Sequence, residues 1–140
     1  MLRTHQATKS LTSKVLLALL LLPFGGVAQT SSEAPSGTEI ATLERKVRMP
    51  RGASRLDQYV RYYYSDATSG TRTIYAHFIG KFWFSISGGA RPKSDVVVVA
   101  SERDIDIPSD AECSVVHVTW DPASTKKPAA SCSSGLIKRR

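Results

Sequence analysis

The sequence predicts an α+β fold: one short N-terminal helix packed on a four- to six-stranded, mainly antiparallel sheet, ending in a β-hairpin closed by a disulfide. Three observations predict it. A capping signal at Ser36–Glu39 opens a single apolar stripe of helical spacing. Segments rich in β-branched and aromatic residues, separated by turn residues, fill most of the chain beyond that stripe. The two cysteines, Cys113 and Cys132, flank a hairpin pattern near the C-terminus.

Ser36-Gly-Thr-Glu39 has the form of a capping box, in which the serine hydroxyl and the glutamate carboxylate each satisfy a free first-turn amide. Ile40, Leu43 and Val47 come next as one stripe, and Pro50 and Gly52 end the helix. Residues 56–64 fit two patterns: Leu56, Tyr59, Val60 and Tyr63 make a helical stripe, while Leu56, Gln58, Val60, Tyr62 and Tyr64 make a strand face. Four tyrosines and a valine favour the strand. Asp66–Gly70 is turn chemistry and Thr71–Ile79 is again β-rich, so the two segments form a hairpin. Lys81–Ile86 continues as a further strand, Ser87–Lys93 is a loop, and Val96–Val99 reads as a strand buried on both faces.

At the C-terminus, Cys113–Trp120 is strand-like, Asp121-Pro-Ala-Ser124 is a turn with proline at its favoured second position, and Thr125–Cys132 returns. If Trp120 faces Thr125, paired positions sum to 245 and Cys113 stands opposite Cys132. Directly opposed antiparallel residues have Cα atoms about 4.5–5.5 Å apart, within disulfide range. In that register Ser114, Val116, Val118 and Trp120 share the core side. Pro128 cannot donate a ladder hydrogen bond, so the return strand is expected at an edge.

Residues 1–28 have the three zones of a secretory signal peptide: basic residues without acids, an apolar stretch Val15–Phe24, and Gly26-Val27-Ala28 before the expected cut. The stretch is too short for a membrane span, which needs about 20 apolar residues. The domain expectation is therefore a signal peptide at 1–28, a flexible leader at 29–37, a single domain at 38–135 and a basic tail at 136–140. The exported chain would be periplasmic or secreted, without a transmembrane segment. Three of the 19 basic residues lie in 1–28, so 16 face the 12 acids and the net charge falls from +7 to +4. Lys138, Arg139 and Arg140 hold most of that remainder, leaving a near-neutral body that disfavours nucleic acid as a partner.

Chemical motifs are sparse. His77 and His117 fall in predicted strands, no Gly-x-Ser-x-Gly elbow occurs, and the disulfide accounts for both cysteines. No His-x-x-x-His or Cys-x-x-Cys spacing suggests a metal. Glu102, Asp104, Asp106, Asp110 and Glu112 form an acidic run, read as a solvated strand with Ile105 and Ile107 on its dry face. No phosphate loop is present, and no cofactor is expected. The strongest remaining signal is an aromatic band over residues 59–84, of which Tyr62, Tyr64, Tyr75, Phe82 and Trp83 are the candidate binding residues.

The signal ending Val-Ala-Gln, the stretch Leu56-Asp-Gln-Tyr-Val-Arg-Tyr-Tyr63, and Cys113–Pro122 closing on Cys132 resemble small exported bacterial proteins of no known function. That resemblance implies the location and the disulfide-closed hairpin but no activity. A helix on an antiparallel sheet is also the architecture of cystatin-like inhibitors, whose Gln-x-Val-x-Gly loop and Pro-Trp pair this chain lacks. Three functional readings are open. The first is a non-catalytic exported module binding a protein, peptide or envelope component. The second is a small exported hydrolase or other ligand-processing enzyme using His77 or His117 with a carboxylate from Asp104–Glu112. The third is a structural envelope protein without a ligand.

Overall fold

The computed structural model describes residues 33–68, 70–109 and 111–133; the expected signal peptide at 1–28 and the expected basic tail at 136–140 lie outside them. The fold is α+β, built on a five-stranded mixed sheet of order β3-β1-β2-β4-β5. Helix α1 spans Gly37–Lys46, β1 Tyr59–Asp66, β2 Thr73–Gly80, α2 Lys81–Ile86, β3 Val96–Val98, β4 Val115–Trp120 and β5 Ala129–Cys132.

Helix α1 forms as its sequence dictates. The Ser36 side chain accepts from the Glu39 amide, and the Glu39 carboxylate accepts from the Ser36 amide at 2.9 Å, closing the capping box. Arg72, just before β2, donates to the same carboxylate and to the Glu33 carbonyl at 3.0 Å. Glu33 and Ala34 are thereby tied to the sheet. Ile40, Leu43 and Val47 bury against Tyr59, Tyr63, Ile74, Phe78, Val116, Val118 and Trp120.

The buried tyrosines keep their phenol ends satisfied, as buried polar groups require. The Tyr63 hydroxyl donates to Glu44 of α1 at 2.7 Å, and Arg61 lies 3.3 Å from the same carboxylate. The Tyr59 hydroxyl donates to the Cys113 carbonyl at 2.8 Å and accepts from the Ser54 amide at 2.9 Å. Helix and hairpin ends are thus pinned to β1 by its own side chains.

Strands β1 and β2 form the expected hairpin, with Tyr59 opposite Gly80 and Asp66 opposite Thr73. Strand β1 begins three residues later than the pattern suggests, because Leu56–Gln58 makes a 3-10 turn. Lys81–Ile86 is a helix, not a strand. Phe82 and Ile86, four residues apart, share its exposed side, and Trp83 and Phe84 pack on a second cluster with Ile79, Ile105, Ala111 and Val115. High β-propensity masks that periodicity.

Strand β3 overturns two expectations. It is an outer strand rather than one buried on both faces, and Val98 is 45% exposed. It also runs parallel to β1, pairing Arg61 with Val96 and Tyr63 with Val98, so the sheet is mixed. The reason is topological. The end of β2 lies beside the start of β1, and β3 begins again at that end, so it must run with β1. The acidic run is no strand either: Glu102–Asp104 is a 3-10 turn. Its alternation nonetheless survives, with Ile105 buried, Ile107 half-buried, and Asp104 and Asp106 in water.

The terminal hairpin forms with a different register. Strand β4 pairs with β5 so that Val116 faces Cys132 and Thr119 faces Ala129, three positions from the expected alignment. Cys113 and Ser114 are not in the strand but in a 3-10 turn at Glu112–Ser114, where Glu112 adopts a left-handed φ of 45°. That turn folds Cys113 back beside Cys132, and the disulfide closes with Cα atoms 4.5 Å apart. Strand β5 is an outer strand beginning directly after Pro128, as a missing amide requires.

The scaffold supports two tests of stability. Replacing Cys113 and Cys132 by serine frees a 19-residue separation and lowers the unfolding free energy by about 3 kcal/mol, measured as the shift in urea midpoint at constant m. Hydrogen bonds from Arg72 hold the Glu39 carboxyl down at about 2, from its ordinary 4.5. The unfolded chain binds that proton more readily, so the contribution is complete above pH 4.5 and is lost as pH falls towards 2. Urea titrations across that window give a slope that Glu39→Gln flattens; an unchanged slope would exclude the pairing.

Candidate functional site

The two sheet faces are covered differently, and the strand order explains why. Strands β3 and β4 lie on opposite sides of the β1–β2 pair, so residues 99–114 must cross one face to connect them. Helix α1 occupies the first face, and the connection takes the second. It buries Ile105 and Ala111 over Ile79 and Val115 at the end where β4 starts. At the other end, where the connection leaves β3, it forms one wall of an open concavity of about 520 Å³ lined by Tyr64, Asp66, Tyr75 and residues 100–103.

Alternation along the strands places Tyr62, Tyr64, Tyr75, His77 and His117 on this second face. The ladder sets them in two rows. Tyr62, His77 and His117 are cross-strand neighbours on β1, β2 and β4, and Tyr64, Tyr75 and Thr119 form the next row. Tyr64 stacks on Tyr75 with ring centroids 5.2 Å apart and planes 11° from parallel, and on His77 at 5.7 Å and 7°. All three tyrosines are half-buried.

His77 sits at the centre of the group, 5% exposed. Its Nδ1 lies 2.8 Å from Nδ1 of His117, with the rings edge to face. Its Nε2 lies 3.3 Å from the Tyr64 hydroxyl and 3.5 Å from a Glu102 carboxylate oxygen. A carboxylate is an acceptor only, so the arrangement favours His77 with its proton on Nε2 and its Nδ1 accepting from His117. Burial, reinforced by the neighbouring His117, pushes His77 down to about 4 from 6.5; Glu102 is mostly in water and does not offset this. Burial together with Glu102 pushes the Tyr64 phenol up to about 12. At neutral pH the group is therefore an uncharged imidazole against a neutral phenol.

These distances bear on the chemistry available. Both ring nitrogens of His77 are engaged, and the hydroxyl of Ser101, at the wall of the concavity, hydrogen-bonds Asp104 at 3.2 Å rather than a histidine. The carboxylate that meets His77 is Glu102, outside the Asp104–Glu112 stretch that the sequence points to. Among the described residues no group of three His, Cys, Asp or Glu is placed to hold a metal ion.

The five candidate aromatic residues part company here. Tyr62, Tyr64 and Tyr75 come together, while Trp83 packs half-buried at the far end of the face and Phe82 projects from α2, 54% exposed. The His77–His117 contact and Glu102 escape sequence reasoning. The histidine pair depends on β2 lying beside β4, a pairing between strands that no turn connects.

Comparison of the chain with protein-family models, with curated proteins and with solved structures finds no match. The fold and the site together define an α+β domain whose second sheet face presents a stacked, histidine-backed aromatic surface beside a preformed concavity.

The electrostatics of His77 are testable. It titrates at about 4 in the fold and near 6.5 when unfolded, so the unfolded chain takes up the proton first as pH falls. Stability is complete above pH 6.5, declines down to about 4, and is flat below as far as this group is concerned. Thermal melts between those limits show that decline, and His77→Gln removes most of it; a His77 imidazole titrating near 6.5 by NMR would contradict the burial.

Proposed function

We propose that the chain is an exported, non-catalytic binding module whose partner, an envelope or extracellular protein or peptide, lies across the second sheet face. The observation that carries this reading is the Tyr64–Tyr75 stack, half-buried on a rigid ladder beside a concavity of about 520 Å³. Tyrosine offers large contact area with little rotamer entropy to lose, and here stacking already fixes the rings. Glu102 and Arg103 at the rim supply charges for orientation, while Ala100 and the ring faces supply apolar surface. The saturated hydrogen bonding of His77 supports binding over turnover, because a general base needs a free acceptor facing its substrate.

Export is supported by the zoned sequence of residues 1–28, and the Cys113–Cys132 disulfide is compatible with an oxidising compartment. On this reading the near-neutral body has no nucleic-acid role.

A photo-crosslinking amino acid at Tyr75, compared with one at Ala41 on the exposed side of α1, tests the surface directly in cells that export the protein. An adduct forms from position 75 and not from 41, and Tyr64→Ala in the same chain reduces its yield severalfold. Equal adducts at both positions, or none at 75, would sink the proposal.

A further inference from the structure

We propose that α2 and the loop behind it form a second contact surface, which rests on a membrane bearing anionic headgroups. The surface is independent of the tyrosine stack. In α2, Phe82 and Ile86 stand four residues apart and so share one side of the helix. They are 54% and 68% exposed, two of the large apolar side chains the fold leaves most open. The helix cannot rotate to hide them, because Trp83 and Phe84 already pack on the second cluster. The ring of Phe82 lies over Gly80, where an added Cβ would meet it at 3.0 Å. The missing side chain at Gly80 gives the ring room to lie against the backbone there, and one side of it stays in water.

Beyond Ile86 the chain stays in water through Arg91, turning at Gly88 with φ 68°. Three cations, Lys81, Arg91 and Lys93, lie on or next to α2 and its loop, against the carboxylates of Asp95 and of Glu112, which lines a hollow with Lys81 and Phe82. Asp95 is shared between Lys81 at 2.6 Å and Arg91 at 2.7 Å, which holds both cations at the base of the loop. Lys93 is exposed.

Exposed aromatic and branched apolar side chains beside an excess of cations match the headgroup boundary of an anionic bilayer. A second copy of the chain fits less well. A two-fold contact at this patch would bring Arg91 and Lys93 towards their own symmetry mates, and two side chains offer far less than the roughly 800 Å² per partner of a stable interface. Membrane contact through so small a patch is weak and reversible, as for a single short anchor.

The test uses the protein without residues 1–28, since every described element lies C-terminal to that segment. It is mixed with vesicles of phosphatidylcholine alone, and with vesicles of three parts phosphatidylcholine to one part phosphatidylglycerol. Co-sedimentation occurs with the anionic vesicles, weakens with salt, and brominated acyl chains quench Trp83, read in a Trp120→Phe background. The double change Phe82→Ser with Ile86→Ser lowers partitioning about tenfold or more, since both side chains leave the bilayer. Arg91→Glu with Lys93→Glu removes the preference for anionic vesicles. Both variants change exposed positions, and unaltered near-UV circular dichroism verifies the fold. The proposal is overturned if neither vesicle binds, if binding ignores headgroup charge, if the serine variant binds as before, or if the patch drives self-association in place of lipid binding.

Discussion

Strand β2 is paired along both edges, to β1 over its whole length and to β4 over six residues, and the remaining architecture hangs on that double pairing. Its alternation assigns Ile74, Ala76 and Phe78 to the side of α1 and Tyr75, His77 and Ile79 to the other. A slip of one residue would exchange those sets and put the histidine into the apolar layer. Because β3 and β4 then flank the central pair, the segment joining them has to cross a face. The concavity beside Tyr64 and Tyr75 is a by-product of that crossing.

The two faces are held by different means. Under α1 the layer is mostly apolar and closed, with the Trp120 indole nitrogen buried in it and Glu44 receiving Tyr63 and Arg61 at its rim. The second face is bridged by irregular chain, which buries Ile105 and Ala111 but leaves the tyrosine and histidine rows partly open. Polar aromatic side chains suit that half-wet position: an apolar body packs against the ladder while the hydroxyl reaches a partner. The same features that make the face incompletely covered make it suitable for contact.

Local chemistry is legible in the sequence wherever neighbours along the chain decide the structure. The Ser36–Glu39 capping box, the stripe Ile40-Leu43-Val47 and the Asp66–Gly70 turn each involve groups within a few residues. The cysteine pairing is also legible, but not through the ladder that predicts it. That ladder places Cys113 in the strand, whereas the Glu112–Ser114 turn brings it to Cys132 despite a three-residue change of register. Lys81–Ile86 misleads because aromatic content outweighs spacing there, and Val96–Val99 because an apolar run need not be buried. Of the candidate site, three of five residues converge; the histidine pair and Glu102 depend on contacts between distant segments, which no local pattern encodes.

The short parallel strand β3 has a further consequence. It joins β1 across more than thirty residues, and β4 meets β2 across a similar span, so much of the sheet closes through distant partners. Such topologies fold slowly, because loop-closure entropy is lost before the contacts that compensate it form. The β1–β2 and β4–β5 hairpins can assemble early, but neither has a complete core until β2 finds β4. If the chain leaves the cytoplasm as an unfolded thread, as the proposed export requires, this delay keeps it competent for passage, and completion of the sheet falls to the far side of the membrane.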